Sequence, residues 1–209
     1  MVLSQFLCWK LRIETIDELK VIGLFHLIGL CFELFKTHPA INSWSYPETA
    51  IFKIATVPLY SGFMYASVAS YIVQVWRILK IRVINYPSVW ITIPLAIAIY
   101  AHFFLKYVGL DLKWYLVLTV FIVYFRTNVF FTSYMKERRM PLALGFLLVG
   151  FFLWIAENIS TFLGAWQYPH QKLSWNVVQE SKITAWFLLY IVSFVVVTQL
   201  RIFREKKST

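Results

Sequence analysis

Six apolar runs divide this chain of 209 residues. Each approaches or passes the roughly 20 helical residues that cross a hydrocarbon core about 30 Å thick. In lipid, every backbone N–H and C=O must be paired internally, which leaves only helices or a closed barrel. Barrel strands alternate apolar and polar side chains, whereas these runs are apolar on every face. The sequence therefore predicts an all-α polytopic membrane protein with spans at 18–36, 54–76, 88–107, 114–134, 141–163 and 183–201. No linker is long enough to separate soluble domains, so residues 1–209 read as a single integral membrane domain embedded in a lipid bilayer.

The formal charge of +10 invites a nucleic-acid reading, and its placement argues against one. Thirteen of the 20 Lys and Arg residues fall on one side of the predicted spans. They are Lys10, Arg12, Lys20, Arg77, Lys80, Arg82, Lys136, Arg138, Arg139 and the tail Arg201, Arg204, Lys206 and Lys207. Six fall on the other side: Lys36, Lys53, Lys106, Lys113, Lys172 and Lys182. The positive-inside rule then places both termini in the cytoplasm. Topology explains the basic charge, and no nucleic-acid partner is expected. Cys8 and Cys31 form no disulfide framework. The N-terminus lacks the basic flank, short apolar core and cleavage site of a signal peptide.

One short pattern occurs twice. Glu33 precedes Trp44-Ser45-Tyr46-Pro47, and Glu157 precedes Trp166-Gln167-Tyr168-Pro169. Chance predicts about 0.02 copies of W-x-Y-P in a chain of this composition, so two copies indicate internal duplication. Spans one and two then correspond to spans five and six. The offset of four helices keeps both copies in one orientation, as in parallel repeats. Counterparts of spans three and four would precede span one, where only about fourteen residues stand. Either the duplication is incomplete, or an N-terminal helical hairpin is lost or left off this sequence.

The candidate site residues follow from what lipid rejects. Glu33 and Glu157 are expected to face the bundle interior, as an acid/base or cation-binding pair or as carboxylates that only orient the loops. Arg126 is expected inside span four near the midplane, tied to Glu157 or contacting a ligand. His26, two turns before Glu33 on one helical face, is a candidate proton relay. Asn158 adds a polar group beside Glu157. Ser61 and Tyr65 bring hydroxyls near a kink expected at Pro58, with Gly62, Ala66 and Ser70 as a small-residue stripe for close helix approach. Trp186 and Tyr190 take comparable places in span six. Trp44, Tyr46, Trp166 and Tyr168 read either as lids that stack on a ligand or as interfacial anchors. Four histidines without ligand spacing give no metal signature, and no cofactor is implied.

Several segments carry a family resemblance. They are Glu14 to Ile22, Trp44 to Glu48, Val57 to Ala66, Arg139 to Leu142, and Ala156 to Phe162 running on to Pro169. Together they resemble the YoaT-like family of uncharacterised bacterial multi-pass membrane proteins, a domain of unknown function. The resemblance implies a bacterial cytoplasmic (inner) membrane and additional hydrophobic sequence upstream. It carries no activity or cofactor.

Three classes of function fit these features. The first is a small-molecule binding protein or carrier with an intramembrane site between the repeats, taking a lipophilic or small polar ligand. The second is a membrane-embedded enzyme acting by acid catalysis on a lipophilic, isoprenoid-like substrate, with Glu33, Glu157 and His26 as candidate catalytic residues. The third is a structural or assembly factor. Whether the chain is an enzyme, and its oligomeric state, are open at this stage.

Overall fold

The computed structural model describes residues 2–11 and 13–208, with side chains over 6–11 and 13–199. Arg12 and the side chains of the cationic tail Arg201, Arg204, Lys206 and Lys207 lie outside the described residues. Helices dominate: α1 (Val2–Lys10), α2 (Ile16–Thr37), α3 (Tyr60–Ile78), α4 (Val89–Leu105), α5 (Lys113–Tyr124), α6 (Leu142–Phe162) and α7 (Ser181–Ser208). Two small antiparallel sheets interrupt them. One pairs β1 (Lys53–Ile54) with β2 (Val57–Pro58); the other orders β3 (Arg82–Ile84), β4 (Asn128–Ser133) and β5 (Lys136–Pro141). The fold is thus mostly helical with sheets, and the expectation of a purely helical chain is corrected.

Among the described residues, three helical segments are long and apolar enough to cross a membrane: Val89–Val108, Leu142–Phe162 and Ser181–Gln199. The first combines α4 with the 3-10 turn Lys106–Val108. The other long helices are more polar, and α2 alone carries Asp17, Glu18, Lys20, Glu33 and Lys36.

The chain divides into two compact units. The first comprises Met1–Val73, Asn158–Val177 and Val196–Thr209. Its α2 starts at a capping box: Thr15 accepts from the Glu18 amide while the Glu18 carboxylate accepts from the Thr15 amide at 2.7 Å. That reciprocal pair ties off helix-end donors and sets acidic charge against the positive end of the helix. Its core includes Ile22, Phe25 and Phe32 from α2 and Ala66, Ala69 and Ile72 from α3. The stripe expected on α3 is where this packing happens. A Cβ on Gly62 would stand 2.9 Å from the His26 carbonyl oxygen, and the Ser70 hydroxyl donates to the Glu14 carboxylate. Pro58 does not kink α3, because it ends β2 two residues before the helix begins.

The second unit comprises Gln74–Glu157 and Val178–Val195. Its core is aromatic. Trp76 stacks on Phe194 at 5.3 Å between centroids, and Phe146 meets Phe194 and Tyr124 edge-on at 5.1 and 5.3 Å.

Span four, expected as a helix over 114–134, is corrected here. α5 stops at Tyr124, and residues 128–141 form a hairpin with Ser133 opposite Lys136. The loop is therefore Tyr134-Met135, both with positive φ (49° and 62°). Two left-handed residues make the hairpin turn whose twist matches the strands, normally Asn-Gly. The run Asn128-Val129-Phe130-Phe131 is short, apolar and rich in β-branched and aromatic residues, and such runs fit strand and helix equally well by periodicity. Because neither Tyr nor Met favours positive φ, replacing the pair with Asn-Gly should stabilise the hairpin by about 1–2 kcal/mol. Amide exchange along the β4–β5 ladder should then slow about tenfold. Unchanged or faster exchange in that variant would contradict this turn.

Candidate functional site

Glu33 sits about four-fifths of the way along α2 and is buried, as is Lys36 one turn on. An ionised side chain in such a place needs partners, and three aromatic side chains donate to Glu33. The Trp44 indole Nε1 donates to Oε2 at 2.9 Å, the Tyr46 hydroxyl to the same oxygen at 2.7 Å, and the Tyr65 hydroxyl to Oε1 at 2.8 Å. Both aromatics of the first W-x-Y-P motif thus close on the glutamate eleven and thirteen residues before them. Tyr65 reaches from α3 only because Gly29, one turn before Glu33, has no side chain: a Cβ there would lie 2.4 Å from the Tyr65 ring.

The loop is fixed further by Ser43 donating its amide to the Lys36 carbonyl at 2.9 Å. Thr37 spans from the Glu33 carbonyl to the Thr56 hydroxyl. Burial first, then the charge of Glu33 and its hydrogen bond, raise the ionisation of the Tyr46 phenol well above its ordinary 10.0. Tyr46 therefore stays a hydrogen-bond donor. Ser61 faces the same phenol closely enough to temper that effect, yet its fully buried Oγ meets no hydrogen-bond geometry.

The second motif meets the first. Ser45 and Gln167, the variable residues of the two W-x-Y-P copies, exchange both backbone hydrogen bonds at 2.9 Å. Such a doubly bonded antiparallel pair sets the residue before Ser45 opposite the residue after Gln167, so Trp44 of one motif faces Tyr168 of the other. Tyr168 packs edge-on to Trp44 at 6.2 Å and lies flat on His170 at 5.8 Å. Phe32 packs on both Trp44 and Tyr65 at 6.0 Å, and the Lys36 ammonium lies 5.0 Å over the Phe32 ring, within cation–π range. Trp166 is half-buried and lines a separate cavity of about 240 Å³ with Phe162, Gln171, Lys172 and Trp175.

Of the other expected residues, Glu157 and Arg126 belong to the second unit and His26 and Asn158 to the first. Glu157 is buried and accepts from the Trp186 indole at 2.8 Å, which gives it a donor from the next helix much as Tyr65 serves Glu33. Arg126 is not inside a span. It is exposed in the turn after α5, and among the described residues its guanidinium has no partner, so the expected tie to Glu157 is not formed. Its backbone carbonyl accepts from Asn85 and Asn128 instead. His26 packs against Gly62 with Nδ1 buried and unbonded, and no hydrogen bond among the described residues links it to Glu33. Asn158 is half-buried and accepts at its carbonyl from Thr161.

Sequence reasoning assigned no site role to Lys36 or Gly29. Gly29 carried a usable signal: it lies one turn from the Glu33 carboxylate on the same helical face. Among the described residues, no group of three His, Cys, Asp or Glu could hold a metal ion.

A family model described as a protein of unknown function, DUF817, matches residues 1–194. The uncharacterized protein YoaT of Bacillus subtilis (strain 168) is 53% identical over 203 residues, spanning 96% of this chain and 76% of YoaT. Among solved structures, a cross-linked MvINS trimer is similar, with a TM-score of 0.62 at 10% identity over 90% of this chain and 95% of that one. At that identity the likeness concerns the fold alone. By the family match and the kinship to YoaT, this chain belongs to the DUF817 family, whose function is unknown.

Proposed function

We propose that this chain is a multi-pass protein of the bacterial cytoplasmic membrane that binds a small molecule at the aromatic cluster around Glu33. In this reading a single membrane domain crosses six times with both termini cytoplasmic, and the W-x-Y-P halves are a parallel repeat. The short α5 is compatible with a crossing. α4 leaves β3, α5 returns to β4, and these strands are hydrogen-bonded neighbours. Residues 109–127 therefore cover the distance that α4 and its 3-10 turn cover outward.

The observation that carries the proposal is the buried carboxylate with three aromatic donors, closed over by the Ser45–Gln167 pair. Polar groups are expensive at such depth and mark function by default. Rings around a carboxylate, with one ammonium already seated among them, suit a cationic or hydrogen-bond-donating ligand. Carriage of that ligand across the membrane follows if the loop pair opens. Acid catalysis is the weaker reading, because both Glu33 oxygens are engaged as acceptors.

Mass spectrometry of small molecules co-purifying in mild detergent tests this. A defined compound should accompany the native protein and the Glu157→Gln variant, and be lost from Tyr65→Phe and Glu33→Gln. Identical small-molecule content in native and well-folded Tyr65→Phe and Glu33→Gln proteins would leave the cluster a structural clasp.

A further inference from the structure

At one end of the second unit, four helix ends gather on the three-stranded sheet. β3 lies between the end of α3 and the start of α4, β4 follows α5 after three residues, and β5 runs straight into α6. Seven exposed cations belong to this end: Arg77, Lys80, Arg82, Arg126, Lys136, Arg138 and Arg139. From Gln74 to Pro141 the chain has only two carboxylates. Asp111 sits in the α4–α5 connection, 3.6 Å from His102, and only Glu137 lies on the sheet, paired with Arg82 at 2.5 Å. Lys80, Arg126, Lys136, Arg138 and Arg139 have no ion-pair partner among the described residues.

The register sorts the sheet into two faces. Arg82, Phe130 and Arg139 stand side by side on one, with the Arg82 guanidinium 5.5 Å over the Phe130 ring. On the other, Val83, Val129 and Met140 line up, with Val129 buried. β5 is an edge strand, and its four charged side chains discourage pairing with another strand. At the hairpin tip, Tyr134 and Met135 are 95% and 99% exposed. An aromatic and a thioether held fully in water, between cationic strands, are out of place in a purely aqueous setting.

We infer that this sheet is an anionic-lipid contact: the guanidinium and ammonium groups meet phospholipid phosphates of the adjoining leaflet, and Tyr134-Met135 dips into the headgroup layer. Clustered Lys and Arg beside a membrane-crossing helix are attracted by the negative surface potential of that leaflet. Aromatic side chains favour the same depth. The apolar α6, which begins directly after the last residue of β5, holds the sheet at the required level. This rests on α4 and α6 crossing the membrane, and is independent of any ligand at Glu33.

The test is trypsin cleavage after Lys136, Arg138 and Arg139 in nanodiscs of phosphatidylcholine alone or with phosphatidylglycerol. Rates are normalised to a soluble peptide in the same tube. Cleavage should be at least tenfold slower with phosphatidylglycerol. The difference should vanish in 1 M salt, where screening shortens to about 3 Å from about 10 Å at 0.1 M. Arg138→Gln/Arg139→Gln, which keeps Lys136 as a cleavage site, should lose the protection while retaining the native melting temperature. Equal rates in the two lipids overturn the inference. If fast, the strand is open to water and free for a protein partner; if slow, the fold itself shields it.

Discussion

Glu33→Leu is expected to destabilise the protein by on the order of 4 kcal/mol, more than any other single side-chain truncation in the first unit. The change is close to isosteric, so the loss is polar rather than a cavity. It removes the shared acceptor of Trp44 Nε1, Tyr46 Oη and Tyr65 Oη. A buried donor left without a partner costs about 1–3 kcal/mol, and bonds to a charged acceptor sit at the strong end of the range. The three losses will not simply add, because the loop relaxes once its latch is gone.

Graded variants separate the contributions. Glu33→Gln keeps one acceptor oxygen but turns an amide NH2 toward a donor, and should cost about half as much. Tyr65→Phe removes one donor and leaves the carboxylate its two loop partners, for about 1–2 kcal/mol. Reversible unfolding in mild detergent, followed by circular dichroism, gives the order native, Tyr65→Phe, Glu33→Gln, Glu33→Leu. A leucine variant within about 0.5 kcal/mol of native would mean that the cluster does not form in solution.

Much of that cluster was legible in the sequence. The repeated order of Glu followed by W-x-Y-P singled out Glu33, Trp44 and Tyr46, and the apolar run of span two put Tyr65 on the next helix. What could not be read was the pairing of Ser45 with Gln167. Those are the variable residues of the motif, and they act through their backbones, which no side-chain pattern records. The hairpin at 128–141 was hidden for two reasons: its turn lacks the usual Asn-Gly, and its apolar run suits either regular structure. That misreading moved Arg126 into a helix. Once α5 ends at Tyr124, the arginine joins the cationic groups around the sheet and needs no buried acceptor.

Glycines carry the other half of the structural information, and Gly150 makes the sharpest case. On α6, a Cβ at this position would lie 2.8 Å from the Phe187 amide nitrogen, 3.0 Å from its Cα and 3.2 Å from the Ile183 carbonyl oxygen, all backbone atoms of α7. Real Cβ atoms do not approach backbone so closely, and no rotamer change can relieve the contact. Gly150→Ala must push α6 from α7, loosening the Phe146–Tyr190 and Phe146–Phe194 ring contacts packed beside it. Overpacking of this kind costs about 1–3 kcal/mol, which outweighs the gain of up to about 1 kcal/mol that alanine brings to a helix interior.

The same substitution elsewhere reads only the propensity. At Gly23 nothing lies within 4 Å of the added Cβ, and at Gly145 it would meet only Met140 Sδ at an ordinary 3.7 Å. Gly23→Ala and Gly145→Ala should therefore raise the melting temperature while Gly150→Ala lowers it. Gly150→Leu should fail to yield folded protein at all. If all three alanine variants shift the melting temperature upward, α6 and α7 are farther apart than this packing requires, and the small-residue contact between them is wrong.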